Sequence, residues 1–213
     1  MKILSISSLR PLSMSQPLAR LLGTLVLASA AVSLGGCSAF MAQNPSGTYK
    51  PVNATPDNPE SSLMLKGADV TAYFTQRKYV QGSPQFRSNY QGIDFRFASA
   101  ENKALFDKEP TNYLPQYGGY CADGIVYAIP WGGDADTWKM IDGKLYIFGG
   151  QSSQDAFELE EKRNLVLADG YWKDEIQGSN SFIQRGKRLV FKVPHYKSGE
   201  ELAKLVAEAK AKK

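Results

Sequence analysis

Asn89-Tyr90-Gln91-Gly92-Ile93-Asp94-Phe95-Arg96-Phe97-Ala98-Ser99 decides the fold class. Apolar and charged residues alternate over Ile93–Phe97, the two-residue period of a strand with one buried face. Phe86–Tyr90 lies on the other side of Gly92, so the pair predicts a β-hairpin. Ser99 then caps a short helix that carries Ala104, Leu105 and Phe106. Pro110 ends it, because the residue before a proline is pushed out of helical geometry.

Further out, Trp138–Ile141 and Lys144–Phe148 flank Asp142-Gly143, a favoured turn dipeptide, and predict a second hairpin. Val70–Phe74 is a β-rich run, and Arg188–Val193 is another strand candidate. A helix is expected from Ser152 or Ser153 to about Leu167. Ser198-Gly199-Glu200-Glu201 is a capping box that opens a last helix, with acids first and lysines last. No internal repeat is present. Short strands mixed with single helices predict an α+β fold with a small, mainly antiparallel sheet built from hairpins.

Hydrophobic residues make up 43% and charged residues 22% of the 213, the composition of an ordinary globular chain. The net charge of +4 hints at an acidic partner. Residues 1–36 carry Lys2, Arg10 and Arg20 and no acid, however, so the remainder holds 22 basic against 21 acidic residues. No nucleic-acid footprint survives.

Residues 1–36 read as an export signal: a basic stretch to Arg20, then an apolar run from Leu21 to Leu34. That run rises about 21 Å as a helix, short of a hydrocarbon core of roughly 30 Å. It closes on Leu34-Gly35-Gly36-Cys37, which is similar to a bacterial lipobox and makes Cys37 the expected lipidation site. Ser38 in place of Asp after that cysteine resembles the sorting pattern of the outer membrane, with the protein lipid-anchored and facing the periplasm. Palmitate or related acyl chains would hold it there. Residues 37–62 hold Pro45, Pro51, Pro56 and Pro59 among small polar residues and read as a tether. A single domain is expected over 63–213, with a core at 63–122 and a C-terminal extension at 123–213.

Three stretches, GADVTAYF (67–74), NYQGIDFRFASAENKALF (89–106) and EPTNYLPQYGGYCA (109–122), together resemble the YHS domain. WKMIDGKLYIFGG (138–150), RNLVLADGYW (163–172) and KRLVFKVPHY (187–196) resemble its exported, lipoprotein-type branch. Members with a metal role carry Cys in a DPVCGM-like opening and twice in an FCSxxCxxxF-like segment. This chain has Asp69-Val70-Thr71-Ala72-Tyr73-Phe74 at the opening, and Ala98 and Asn102 where the later cysteines would fall. Soft-metal binding of that type does not carry over.

With Cys37 lipidated, Cys121 is the one thiol left, in an oxidising compartment where an unpaired thiol is buried, liganded or kept for a partner. Gly118 and Gly119 just before it allow a close backbone approach. Tyr117, Tyr120, Cys121 and the loop Trp131-Gly132-Gly133-Asp134-Ala135-Asp136-Thr137-Trp138 form the expected small-ligand site. The indoles of Trp131 and Trp138 serve as walls, and Asp134 and Asp136 as acceptors or hard-cation ligands. The alternative for these residues is a packed aromatic core with a polar loop. His195 is the only histidine; with Cys121 it supplies two candidate ligands for copper or zinc, or a thiolate and its base. No Walker loop, GxGxxG, HExxH or GxSxG is present, which removes the enzyme classes those motifs mark. The expected role is therefore binding or accessory work on a small molecule or metal rather than catalysis. The alternatives are metal handling through Cys121 and His195, a thiol enzyme with Cys121 as nucleophile, or a structural protein of the envelope with a protein partner.

Overall fold

The computed structural model describes residues 51–58 and 61–212. The expected export signal, Cys37 and the expected tether as far as residue 50 lie outside them. Among the described residues are six strands: β1 (Ala54–Asn58), β2 (Ser61–Met64), β3 (Ser83–Tyr90), β4 (Ile93–Phe97), β5 (Asp134–Ile141) and β6 (Lys144–Phe148). The helices are α1 (Ala72–Thr75), α2 (Ala100–Lys108), α3 (Ala122–Val126), α4 (Gln151–Leu159), α5 (Glu161–Tyr171), α6 (Ser181–Val190) and α7 (Gly199–Ala211). The fold is α+β, as the sequence predicts.

One sheet runs in the order β1-β2-β4-β3. β1/β2 and β3/β4 are antiparallel, and the β2/β4 pairing between them is parallel. The last part of the expected tether therefore belongs to the sheet. Prolines exclude a stretch only from central strands, and Pro56 sits on edge strand β1, where proline is tolerated. Val52, Ala54, Leu63 and Met64 are buried and anchor this segment to the core.

The predicted hairpins at Gly92 and Asp142-Gly143 are both formed, and Ser99 caps α2 by accepting the Asn102 N–H. Phe106 on α2 packs on Phe95 and Phe97 of β4, with ring centroids 4.6 and 5.1 Å apart. The β-rich run Val70–Phe74 is not a strand. The Asp69 carboxylate accepts the N–H groups of Thr71 and Ala72 at 2.9 and 3.2 Å, and this cap turns the chain into α1 against its β propensity.

The helix expected over 152–167 is split at Glu160, where φ −136° and ψ 46° leave helical space. The buried Asn164 amide takes the Phe157 carbonyl at 2.9 Å, which satisfies the end of α4. Arg188–Val193 is not a strand either: Arg188–Val190 is the last turn of α6 and the rest follows it outside any strand; α6 is opened by Asn180, whose side chain accepts from Phe182 and Ile183 N–H at 3.0 Å each. The alternation over six residues is too short to set a strand against that cap. α7 begins on the predicted capping box, with both reciprocal bonds made.

Two hydrophobic cores result. One gathers Val52, Met64, Val70, Tyr73, Ile93, Phe95, Phe97 and Phe106 under the four-stranded sheet. The other gathers Tyr117, Tyr120, Ile125, Val126, Phe157 and Ala168 among the helices. β6 stands between them: Leu145 and Ile147 enter the first core, Tyr146 and Phe148 the second. That is why Lys144–Phe148 is an almost unbroken apolar run, since a strand covered on both faces has no polar side.

Candidate functional site

Cys121 lies at the junction of these cores. Tyr117, Gly118 and Gly119 just before it all have positive φ, 53°, 59° and 77°. A side chain on Gly118 would meet the Pro51 carbonyl at 2.5 Å, so glycine is required for the N-terminal segment to pass. Asn53 fastens that segment, its side-chain amide donating to the Gly119 and Gly133 carbonyls at 3.0 and 2.9 Å. The chain then turns at Cys121 into α3, with the Cys121 N–H donating to the Trp131 carbonyl at 2.9 Å.

The Cys121 side chain is buried and lines a cavity of about 310 Å³. Asp123, Tyr127, Trp131, Ser153 and Tyr196 share its wall, with Lys197 a further charged contributor. Burial pushes the Cys121 thiol up; the Gly124 and Gly149 amides and the Ser153 hydroxyl pull it the other way. Asp123 is 8% exposed, makes no hydrogen bond or ion pair among the described residues, and is pushed up to about 7 by desolvation. A carboxyl without a partner in a cavity wall is costly to keep, and such groups concentrate at functional sites.

The expected ligand-binding residues do not form one site. Cys121 and Trp131 line the cavity just described. Asp134 and Asp136 line a second cavity of about 300 Å³, with Lys66, Tyr79 and Gln81. Tyr117 and Tyr120 are core residues whose hydroxyls donate to Asp169 and to the Val52 carbonyl at 2.8 and 3.0 Å. Trp138 packs edge-on against Tyr73 at 5.1 Å, which makes it part of the first core. The order Tyr-Gly-Gly-Tyr-Cys was a signal for backbone packing, and of the two tryptophans one lines the cavity and the other packs on a core.

His195 is not in the cavity wall. Its ring lies 5.8 Å from those of Tyr127 and Tyr171, stacked on both, and its Nε2 donates to the Val126 carbonyl at 2.8 Å. Among the described residues no group of three His, Cys, Asp or Glu side chains is placed to hold a metal ion. Sequence reasoning missed Asp123, Tyr127, Ser153 and Tyr196. Asp123 had a faint signal in Cys121-Ala122-Asp123-Gly124, an acid two residues from the lone thiol.

The positions where the YHS metal cysteines would fall are occupied differently. Asp69 Oδ2 accepts the Ala98 N–H at 2.8 Å and the Asn102 side-chain amide at 2.7 Å, while Oδ1 accepts from Thr71 and Ala72. All four partners are N–H donors, and Asp69 and Asn102 are buried. A self-satisfied carboxylate and amide hold the place of a thiolate set, so the residues present do not fit the family's metal.

The model of the YHS domain matches residues 71–117. The chain thus carries a YHS domain from Thr71 to Tyr117, and the cavity beside Cys121 and Asp123 lies beyond the matched stretch. No curated protein and no solved structure matches the chain.

Proposed function

We propose that this protein binds a small amine-bearing molecule in the cavity beside Cys121, as a lipid-anchored accessory protein of the outer membrane, facing the periplasm. The observation that carries the binding reading is Asp123, a desolvated carboxyl with no partner among the described residues, in the wall of a cavity of about 310 Å³. A ligand ammonium group supplies the missing counter-charge and hydrogen bonds. Tyr127, Trp131 and Tyr196 give aromatic walls, and Ser153 a hydroxyl. Such rings already take cations in this molecule: Lys192 sits 4.3 Å over Tyr196 and the Arg185 guanidinium 5.8 Å over Trp131. The anchor rests on the order of basic segment, short apolar run and Leu34-Gly35-Gly36-Cys37.

Choline and ethanolamine are the compounds to titrate, with glycerol as the neutral control, followed by calorimetry and by the shift in Tm. Saturable binding of an amine that is lost in Asp123→Asn and weakened in Trp131→Ala supports the reading. Absence of binding by both amines, or equal binding by Asp123→Asn, overturns it. The anchor is tested separately by palmitate incorporation in cells, which should vanish in Cys37→Ala.

A further inference from the structure

α6 is built inside out. Its inward positions are Ser181, Gln184 and Arg188, at the i, i+3, i+7 spacing of one helical face. Gln184 donates to the Ala128 carbonyl at 3.1 Å and to Glu175, and Arg188 is paired with Glu175. The opposite face carries Phe182, Ile183 and Val190, continued by Phe191 just past the helix end, while Leu189 at its edge borders the cavity beside Cys121. Ile183 is 63%, Val190 73% and Phe191 68% exposed. A soluble helix normally buries this stripe, and a contiguous apolar patch of this kind marks an interaction surface.

The charges beside the stripe identify its partner. At 100° per residue Arg185 falls on one border of the apolar face and Lys187 on the other. From Ser181 to Lys192 there are four basic residues and no acid; Glu175, which pairs with Lys187 and Arg188, offsets one of these charges, and Arg185 lies over the Trp131 ring, so a net excess of cation remains along the strip. An apolar strip edged with cations on both sides matches a lipid surface, with side chains entering the acyl boundary and cations at the anionic headgroups. Ten residues rise about 15 Å, so α6 lies on a bilayer and does not span it. We infer that the exposed face of α6, centred on Ile183, Val190 and Phe191, docks on an anionic phospholipid surface.

The test uses the full chain reconstituted into vesicles whose acyl chains carry bromine, a short-range quencher of indole fluorescence. Val190→Trp places an indole on the face, and Lys78→Trp places one on an exposed loop elsewhere as a control. Relative to the parent chain, the Val190→Trp indole should be quenched about twofold or more in phosphatidylcholine–phosphatidylglycerol vesicles. The effect should drop to the Lys78→Trp level in pure phosphatidylcholine and in the Arg185→Gln/Lys187→Gln background. Equal quenching of the two indoles in anionic vesicles overturns the proposal. So does a dimer in sedimentation that persists with vesicles and is dissociated by Ile183→Asp, since a second copy then covers the face. These positions lie on exposed or half-buried surface, and an unchanged circular dichroism spectrum verifies that each variant is folded.

Discussion

Asp69 and Asn102, 33 residues apart in the chain, meet through a 2.7 Å hydrogen bond from the Asn102 amide to Asp69 Oδ2 in a site closed to solvent. The bond ties the loop before α1 to the first turn of α2. Asn102→Ala leaves Oδ2 with the Ala98 N–H alone and should lower unfolding free energy by about 1–3 kcal/mol, read by urea denaturation. Asn102→Cys, which restores a family thiol at that position, should also destabilise the protein and should not recruit copper or zinc. Stoichiometric metal in that variant would contradict the account of this site.

Asp123 makes stability depend on pH. Its carboxyl is raised to about 7 in the fold by desolvation, against about 3.9 in an unfolded chain. Between those values the folded state holds a proton that the unfolded state has lost. Its contribution is therefore fully present below about pH 4, is lost as pH rises, and is flat above 7. The loss amounts to roughly 2–4 kcal/mol at about 1.4 kcal/mol per unit. Asp123→Asn should abolish this slope and be the more stable protein at pH 8, measured by denaturation across pH 4–8.

Cys121 should behave as a protected thiol. Burial holds it above the usual thiol range, and only the thiolate is alkylated. Iodoacetamide at pH 7.5 should modify the native protein more than about tenfold more slowly than the urea-unfolded chain. Because the folded value is raised, the thiol's stabilising contribution is retained below the unfolded pKa of about 8.5 and declines as pH climbs past it. Rapid modification of the native protein at pH 6, followed by mass spectrometry, would instead indicate a nucleophile.

His195 is structural in this fold. His195→Phe keeps a ring between Tyr127 and Tyr171 but leaves the Val126 carbonyl without its donor. The expected cost is about 1 kcal/mol by thermal or urea denaturation. Copper or zinc content after reconstitution should equal that of the parent chain.

Local signals with one physical meaning were legible in the sequence: the Gly92 and Asp142-Gly143 turns, the Ser99 cap and the Ser198–Glu201 capping box. Those that failed were overridden by contacts distant in the chain or by competing caps. The β-rich Val70–Phe74 became helical because Asp69 takes the Thr71 and Ala72 amides. Ala54–Asn58 became a strand because β2 pairs with it. The site was less legible than the fold. Trp131 and Trp138 read as two walls of one pocket, but Trp131, in the segment before β5, lines the cavity while Trp138, on β5, packs against a core. Asp123 had only the faint signal of its place two residues after Cys121, and nothing in that spacing foretold its burial.

β6, covered on both faces, sets the smallest piece of this protein that can be moved or cut. The stretch that matches the YHS domain ends at Tyr117, yet the core under it is completed by Leu145 and Ile147 and by Val52 and Met64. Residues 71–117 are thus a recognisable signature without being a transplantable module. Grafted alone, they would expose the aromatic floor that β6 covers. The helical half packs on one face of a strand whose other face belongs to its neighbour, so the two halves should unfold together.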